Sequence, residues 1–106
     1  MKFVFEVRIR PGYLAEQYAD AWVRASRIIQ TASGARGTRL HRKIGDDSVL
    51  LAIAEWDSKE SRDAAQGSHP AADAIIAAAS EFCDVKIIGE FDDPEWVVLP
   101  PAAHEK

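Results

Sequence analysis

The stretch LLAIAEWDSKESRDAAQGSHP, residues 50–70, predicts a strand, a helix and a break in immediate succession. Residues 49–56 are apolar on both alternating faces, which is typical of a strand inside a sheet rather than at its edge. Asp57 or Ser58 then provides a helix N-cap, because a short polar side chain there accepts a bond from a free backbone N–H. The helix is interrupted by Gly-Ser-His and restarts at Pro70, since proline is favoured in a first helical turn.

Periodicities on either side of this segment complete an alternation of strands and helices. Strands are predicted at residues 2–10, 37–44, 49–56 and 82–91, and helices at residues 13–32, 58–66 and 70–80. One face of the first strand carries four apolar side chains, Phe3, Phe5, Val7 and Ile9. Gly34 is predicted to cap the first helix, because glycine enters the left-handed region without steric cost. The order predicts an α+β, ferredoxin-like βαββαβ fold, in which an antiparallel sheet carries its helices on one face.

The sheet face without helices governs how the protein associates. The strand pattern does not tell which of the two sheet faces the helices cover. The bare face therefore carries either the opposite set of alternating side chains or the set Val4, Leu50, Ala52, Ala54 and Trp56. Either set is too apolar for a stable monomer, so we expect a homodimer in which two sheets pack face to face.

We expect one folded domain at residues 1–92 and a tail at 93–106. The apolar segment Trp96–Leu99 either crosses to the partner as an added strand or folds onto its own subunit.

Composition excludes several classes of function. The formal net charge is −4 and no basic cluster offsets it, so neither nucleic acid nor an anionic membrane surface is an expected partner. No apolar run is long enough to span a bilayer, and the N-terminus lacks the features of a signal peptide. Cys83 is the only cysteine, which excludes an internal disulfide and agrees with a cytoplasmic location. The spacing of Cys83, His41, His69 and His104 matches no known ligand pair, so no metal is expected.

Residues 34–70, GARGTRLHRKIGDDSVLLAIAEWDSKESRDAAQGSHP, resemble the antibiotic biosynthesis monooxygenase family, a branch of the dimeric α+β barrels. The shared landmarks are a Gly-rich start to the second strand, a strand ending in Glu-Trp, and a serine just before a broken helix. The family includes cofactor-free quinol or polyketide oxygenases, haem-degrading enzymes, isomerases and members without known activity. Haem-degrading members have Asn, Trp and His where this chain has Val7, Ala65 and Ile75, so the resemblance does not extend to haem binding.

In the cofactor-free oxygenases, Trp and Tyr side chains line a pocket between the helices and the sheet. The resemblance places Trp56 in this pocket, and Tyr18 and Trp22 lie where the first helix can line it. Each also has a plainer interpretation as core, since large aromatic residues are mostly buried. His69, at the helix break, is the candidate catalytic base, because imidazole titrates near neutral pH. The alternative is an exposed loop residue or an N-cap before Pro70, which the sequence favours because it shows no carboxylate partner that would orient the imidazole.

The leading hypothesis is therefore a cofactor-independent monooxygenase that acts on a small aromatic molecule, a quinol or a polyketide, with O2. One alternative is a non-catalytic binding or structural dimer whose pocket is filled by Tyr18, Trp22 and Trp56. Another is an isomerase on the same scaffold. A solid packing between helices and sheet would exclude both enzymes, whereas a hollow space with His69 or a tyrosine hydroxyl at its wall keeps them.

Overall fold

A computed structural model describes residues 1–102 and has the predicted order of strands and helices. The elements are β1 (Lys2–Ile9), α1 (Ala15–Ile29), β2 (Ala35–Lys43), β3 (Asp46–Trp56), α2 (Lys59–Ala65), α3 (Pro70–Ala79) and β4 (Cys83–Phe91). Neighbouring strands are antiparallel, and their order across the open sheet is β2-β3-β1-β4. The predicted ferredoxin-like α+β class is confirmed, and β3 is an inner strand, as its continuous apolar run predicts.

The strand register fixes which residues face the helices. Val7 pairs with Leu50 and Phe5 pairs with Ala52, so these side chains share the face that α1 covers. Val4 pairs with Ile53 on the other face. The set of five proposed above for the bare face is therefore wrong. Four of its members, Leu50, Ala52, Ala54 and Trp56, face the helices, and only Val4 lies on the bare face.

Helix α1 ends earlier than its apolar stripe predicts. Its C-cap is Gln30, not Gly34, and the Gln30 N–H donates to Ser26 O at 2.8 Å. The Thr31 hydroxyl donates to Ile28 O at 2.7 Å, so it satisfies a carbonyl that a longer helix would have bonded. Gly34 does have a positive φ of 87°. Its position is set by a close approach, because a Cβ built there lies 2.5 Å from both Cβ and Oγ of Ser61.

The second helical region is broken as predicted. Ser58 is the N-cap of α2, and its side chain accepts a bond from Ser61 N at 3.1 Å. After the break, His69 is the N-cap residue of α3 and Pro70 occupies its first turn. Helix α3 packs mainly on α1 and not on the sheet. This placement leaves Val85 and Ile87 on the helix-facing side of β4 uncovered, and a space opens between α3 and this part of the strand.

The residues after β4 contact the domain through Asp93, whose carboxylate accepts a hydrogen bond from the N-terminal ammonium of Met1 at 2.9 Å. Residues 92–102 form neither helix nor strand and are exposed, and Val98 is 96% exposed. Residues 103–106, with His104, lie outside the described part of the chain. Among residues 1–102, no helix combines the length and the apolar character needed to cross a bilayer.

Candidate functional site

A cavity of about 910 Å³ lies between the three helices and the sheet and is open to solvent on one side. It exists because α3 stands away from β4. Three large apolar side chains around this gap are about half exposed: Ile76 at 51%, Val85 at 52% and Ile87 at 58%. The volume falls within the range of ordinary small-molecule sites. The space between helices and sheet is therefore hollow.

All four residues predicted for the site line this one cavity: Tyr18, Trp22, Trp56 and His69. Tyr18 and Trp56 are buried, at 8% and 5% exposed, and Trp22 is partly buried. The aromatic side chains form walls without filling the space, so the alternative in which they fill it is wrong. The roles of these residues are not tested by their position and stay predictions.

Tyr18 projects from the middle of α1 into the cavity. Burial raises the pKa of its phenol well above the ordinary value, since the charged form loses its water. The hydroxyl makes no hydrogen bond within residues 1–102. It is not among the fully buried polar atoms that lack a partner, so its oxygen remains accessible. Tyr18 is therefore a neutral phenol at physiological pH, with a proton available to a ligand. This property suits a hydrogen-bond donor and not a base.

His69 reaches the cavity from the break between α2 and α3. Its carbonyl accepts the N–H of Asp73 at 3.0 Å, and Asp73 also lines the cavity. The imidazole makes no side-chain capping bond, so its N-cap position does not occupy the ring nitrogens. The side chain is partly buried, which disagrees with the interpretation as an exposed loop residue. Within residues 1–102, the ring nitrogens of His69 make no hydrogen bond, so the imidazole lies at the cavity wall without a partner in the fold.

Cys83 lines the cavity at the start of β4 and is buried, as predicted for a small apolar residue. Burial raises the pKa of its thiol, and Cys83 Sγ lies 3.6 Å from Ala79 O as a weak donor. A protonated thiol is a poor nucleophile, because the thiolate is the reactive form. The cysteine therefore belongs to the wall and not to the chemistry.

Arg62 provides positive charge at the cavity wall, and the sequence argument did not identify it. Its guanidinium lies 3.8 Å from the centroid of the Phe3 ring, and Nη1 donates to Glu90 Oε2 at 3.2 Å. The two contacts hold α2 against β1 and β4. Alternation along β1 places Phe3 on the cavity side, but no local pattern pairs it with a residue of α2.

Two further polar residues of α1, Ser26 and Gln30, also line the cavity and were missed. They follow Tyr18 and Trp22 at steps of four residues, so they lie along the same ridge of the helix. This spacing was visible in the sequence. Among residues 1–102, no three His, Cys, Asp or Glu side chains lie together where they could hold a metal ion.

Comparison with known proteins adds a family. A model of the antibiotic biosynthesis monooxygenase family matches residues 1–77. No curated protein sequence matches the chain significantly.

Solved structures share the fold at low identity. A variant of SnoaB, a cofactor-independent oxygenase from Streptomyces nogalater, is 17% identical, with a TM-score of 0.78 and coverage of 91% of this chain and 94% of that chain. A Deinococcus radiodurans protein, proposed to be an antibiotic biosynthesis monooxygenase, is 14% identical, with a TM-score of 0.70 and coverage of 94% and 100%. A conserved protein from Methanosarcina mazei Go1 is 14% identical, with a TM-score of 0.67 and coverage of 85% and 91%. At these identities the likeness shows the fold alone.

Proposed function

The chain belongs to the antibiotic biosynthesis monooxygenase family, and from that premise we propose that it oxidises a small electron-rich aromatic molecule with O2, without a metal or an organic cofactor. The observation that carries the proposal is the hollow cavity with aromatic walls and the free imidazole of His69. The likeness to SnoaB supports the cofactor-independent type. Flat aromatic ligands suit such a cavity, because they bury large apolar faces between Trp22 and Trp56.

The proposed reaction balances with the substrate as its only reductant. A CH2 group flanked by aromatic rings, as in an anthrone, loses a proton to a base and becomes an electron-rich anion. The anion gives one electron to O2, and the resulting pair combines to a hydroperoxide. Loss of water then leaves a ketone, so CH2 and O2 become C=O and H2O. One oxygen atom enters the product and the other leaves in water.

Protein side chains supply the proton acceptor and the surroundings in this scheme. His69 is the proposed base, because it lines the cavity and its ring nitrogens make no hydrogen bond within the described residues, which leaves them able to accept a proton from the substrate. Tyr18 stays protonated, so its hydroxyl stabilises the oxygen of the anion by donating to it. The aromatic walls exclude water, which strengthens these interactions.

An oxygen electrode provides the test. Purified, chelator-treated protein is given anthrone and a panel of quinols, and O2 uptake is compared with product formed; we expect one O2 per ketone and one labelled oxygen from 18O2. His69→Ala is expected to lower kcat by about 100-fold or more. His41→Ala is the matched control, because His41 pairs with Leu51 on the opposite sheet face.

Each other outcome assigns a different function. Full activity of His69→Ala would remove the proposed base. Conversion of a substrate without O2 uptake would indicate an isomerase. Saturable binding of these aromatics without any conversion would indicate a binding module on the same fold.

A homodimer is the proposed assembly. The face without helices carries Val4, Leu51 and Ile53 on the two inner strands, and these side chains are only partly buried. A second sheet packed on this face would cover them, which completes the dimeric α+β barrel. Ile53→Glu is expected to shift the protein to monomer in sedimentation equilibrium. A wild-type protein that stays monomeric at working concentration would refute the assembly.

The tail, residues 93–106, is proposed to dock on the partner subunit, whereas residues 1–92 form the folded domain. Trp96, Val97 and Leu99 are 60% or more exposed, and such a row of apolar side chains is stabilised by burial. Dilution of the dimer should therefore red-shift the tryptophan emission, and Trp96→Phe should remove most of that shift. Emission unchanged by dilution through the dissociation range would refute docking on the partner. We also propose a cytoplasmic location, on the ground of the single unpaired cysteine.

A further inference from the structure

The orientation of the Gln30 amide is fixed by one hydrogen bond. Gln30 Oε1 accepts the backbone N–H of Gly37 at 2.8 Å. A backbone N–H can only donate, so the atom that meets it must be the amide oxygen and not the nitrogen. The NH2 group therefore points away from Gly37. Gln30 lines the cavity, and this NH2 group is the one donor that its side chain has left.

Neither of the two polar residues of α1 at this end of the cavity has its donor engaged by the fold. Within residues 1–102, the Gln30 NH2 group and the Ser26 hydroxyl make no hydrogen bond. The nearby Thr38 hydroxyl differs, because it donates to Ile53 O at 3.3 Å and its proton is committed. We call Ser26 and Gln30 the donor corner.

The donor corner lies beside apolar wall. Strand β2 carries Gly37, and its neighbouring residues Ala35 and Thr38 pair with Trp56 and Ala54 of β3. Trp56, Thr38 and Ala54 all line the cavity. A ligand that placed a hydrocarbon edge here would strip water from the donors and leave them unpaired, which carries a penalty. A ligand that placed an oxygen acceptor here would pair them. Sites built this way discriminate strongly against analogues that lack the polar atom.

We infer that the donor corner is a subsite for a carbonyl or phenolate oxygen of the aromatic ligand, held by the Gln30 NH2 group with help from the Ser26 hydroxyl. The inference rests on the proposed function for the aromatic part of the ligand. It adds that the ligand carries an oxygen acceptor at one end, and it names the residue that selects for it. Gln30 is thus a specificity-determining residue.

The test measures binding and not turnover, so it is separate from the test of the proposed function. The probes are 1-tetralone and tetralin, which differ only in a ketone against a CH2 group and do not react with the protein. The chain has no asparagine and three glutamines, Gln17, Gln30 and Gln66. An 1H–15N spectrum therefore shows only three side-chain NH2 pairs, and a Gln30→Glu variant assigns the pair of interest.

Gln30→Glu keeps the length of the side chain and the oxygen that accepts the Gly37 N–H, but it replaces the donor with a charged acceptor. It is expected to weaken 1-tetralone binding by about 3- to 10-fold, the effect of losing one hydrogen bond, and to leave tetralin within about twofold. Gln17→Glu is the matched control. Gln17 is an exposed residue of the same helix, and its Oε1 likewise accepts a backbone N–H, that of Leu14 at 2.7 Å.

In the wild-type protein, 1-tetralone should shift the Gln30 NH2 resonances and tetralin should not. Equal effects of Gln30→Glu on the two probes, or a ketone-specific shift at Gln66 instead of Gln30, would overturn the inference. So would the absence of saturable 1-tetralone binding. If the ketone effect at Gln30 is found but no anthrone or quinol is oxidised, the subsite stands and the proposed reaction fails.

Discussion

Replacing Gly34 with alanine is expected to destabilise the protein more than any other glycine substitution in a turn. The backbone at Gly34 has φ +87°, where an L side chain costs about 1–2 kcal/mol. The new Cβ would also lie 2.5 Å from Ser61 Cβ and Oγ, so α2 must move. Forcing extra volume into a packed contact costs about 1–3 kcal/mol more. The sum, about 2–5 kcal/mol, corresponds to a fall in Tm of at least about 10 °C for a domain of this size.

Gly12 is the matched control for this experiment. It has φ +89°, and a Cβ there meets nothing within 4 Å, so Gly12→Ala carries only the backbone cost. Thermal unfolding followed by circular dichroism gives both Tm values, and their difference isolates the contact with Ser61. Adding Ser61→Gly to Gly34→Ala should recover part of the loss, because it removes the atoms that collide. Equal Tm values for the two single variants would refute this account of Gly34.

The same contact bears on the cavity. Gly34 O accepts the Asp57 N–H at 2.8 Å, so the turn after α1 holds the chain where β3 passes into α2. Helix α2 carries Arg62, which lies against Phe3 at the cavity wall. A displaced α2 should therefore weaken the binding of aromatic ligands, whereas Gly12→Ala should leave it unchanged.

Three further predictions concern single side chains. Ser58→Ala removes the α2 N-cap, and urea unfolding should show a loss of about 1 kcal/mol; unchanged stability would contradict the cap bond to Ser61. Burial raises the folded pKa of Tyr18, so the folded state keeps a proton that the unfolded chain loses above about pH 10. Stability should thus fall as the pH rises beyond that value, and Tyr18→Phe should fall less steeply; identical alkaline titrations would contradict the burial effect. Arg10 lowers the pKa of Asp84, so this pair stabilises the fold above about pH 4 and the effect is lost as the pH falls through the folded pKa. Asp84→Asn should then show a weaker acid dependence in urea titrations, although the exposed position keeps the change small.

The elements and their order followed from local rules in the sequence, and the structure confirms them. Strand alternation, the cap at Ser58 and Pro70 in a first turn are each decided by residues that are neighbours in the chain. The family resemblance drawn from residues 34–70 is confirmed by the family model, because its landmarks combine such local features in one order. The rule that a glycine caps the preceding helix failed at Gly34. This glycine has a positive φ, but it permits a close approach of Ser61 instead of ending α1, and the local sequence does not distinguish the two uses.

The sheet phase and the state of the cavity could not be read from local pattern. An inner strand is apolar on both faces, so its own sequence does not tell which face the helices cover; only the pairing of Val7 with Leu50 decides it. The cavity depends on where α3 rests, and that is a property of two helices together. The position of Gln30 at the cavity could have been predicted from the sequence, since it follows Tyr18 and Trp22 at steps of four residues. The orientation of its amide could not, because that depends on the hydrogen bond from Gly37.

The placement of α3 also explains how a small domain tolerates so large a cavity. The main core cluster includes Val7, Ile9 and Leu50 of the two inner strands, which pack with α1. Helix α3 meets β4 at one end, where Ala79 and Cys83 join this cluster and Cys83 Sγ lies 3.6 Å from Ala79 O. Along the rest of the gap, α3 presents the small side chains of Ala77 and Ala78 together with Ile76, and these do not close the space. Burial along the gap is therefore concentrated at Ala79 and Cys83, whereas Ile76, Val85 and Ile87 stay about half exposed. Substitutions at these half-exposed residues should change ligand binding with little loss of stability, whereas substitutions at Val7 and Leu50, which are buried and do not line the cavity, should do the reverse.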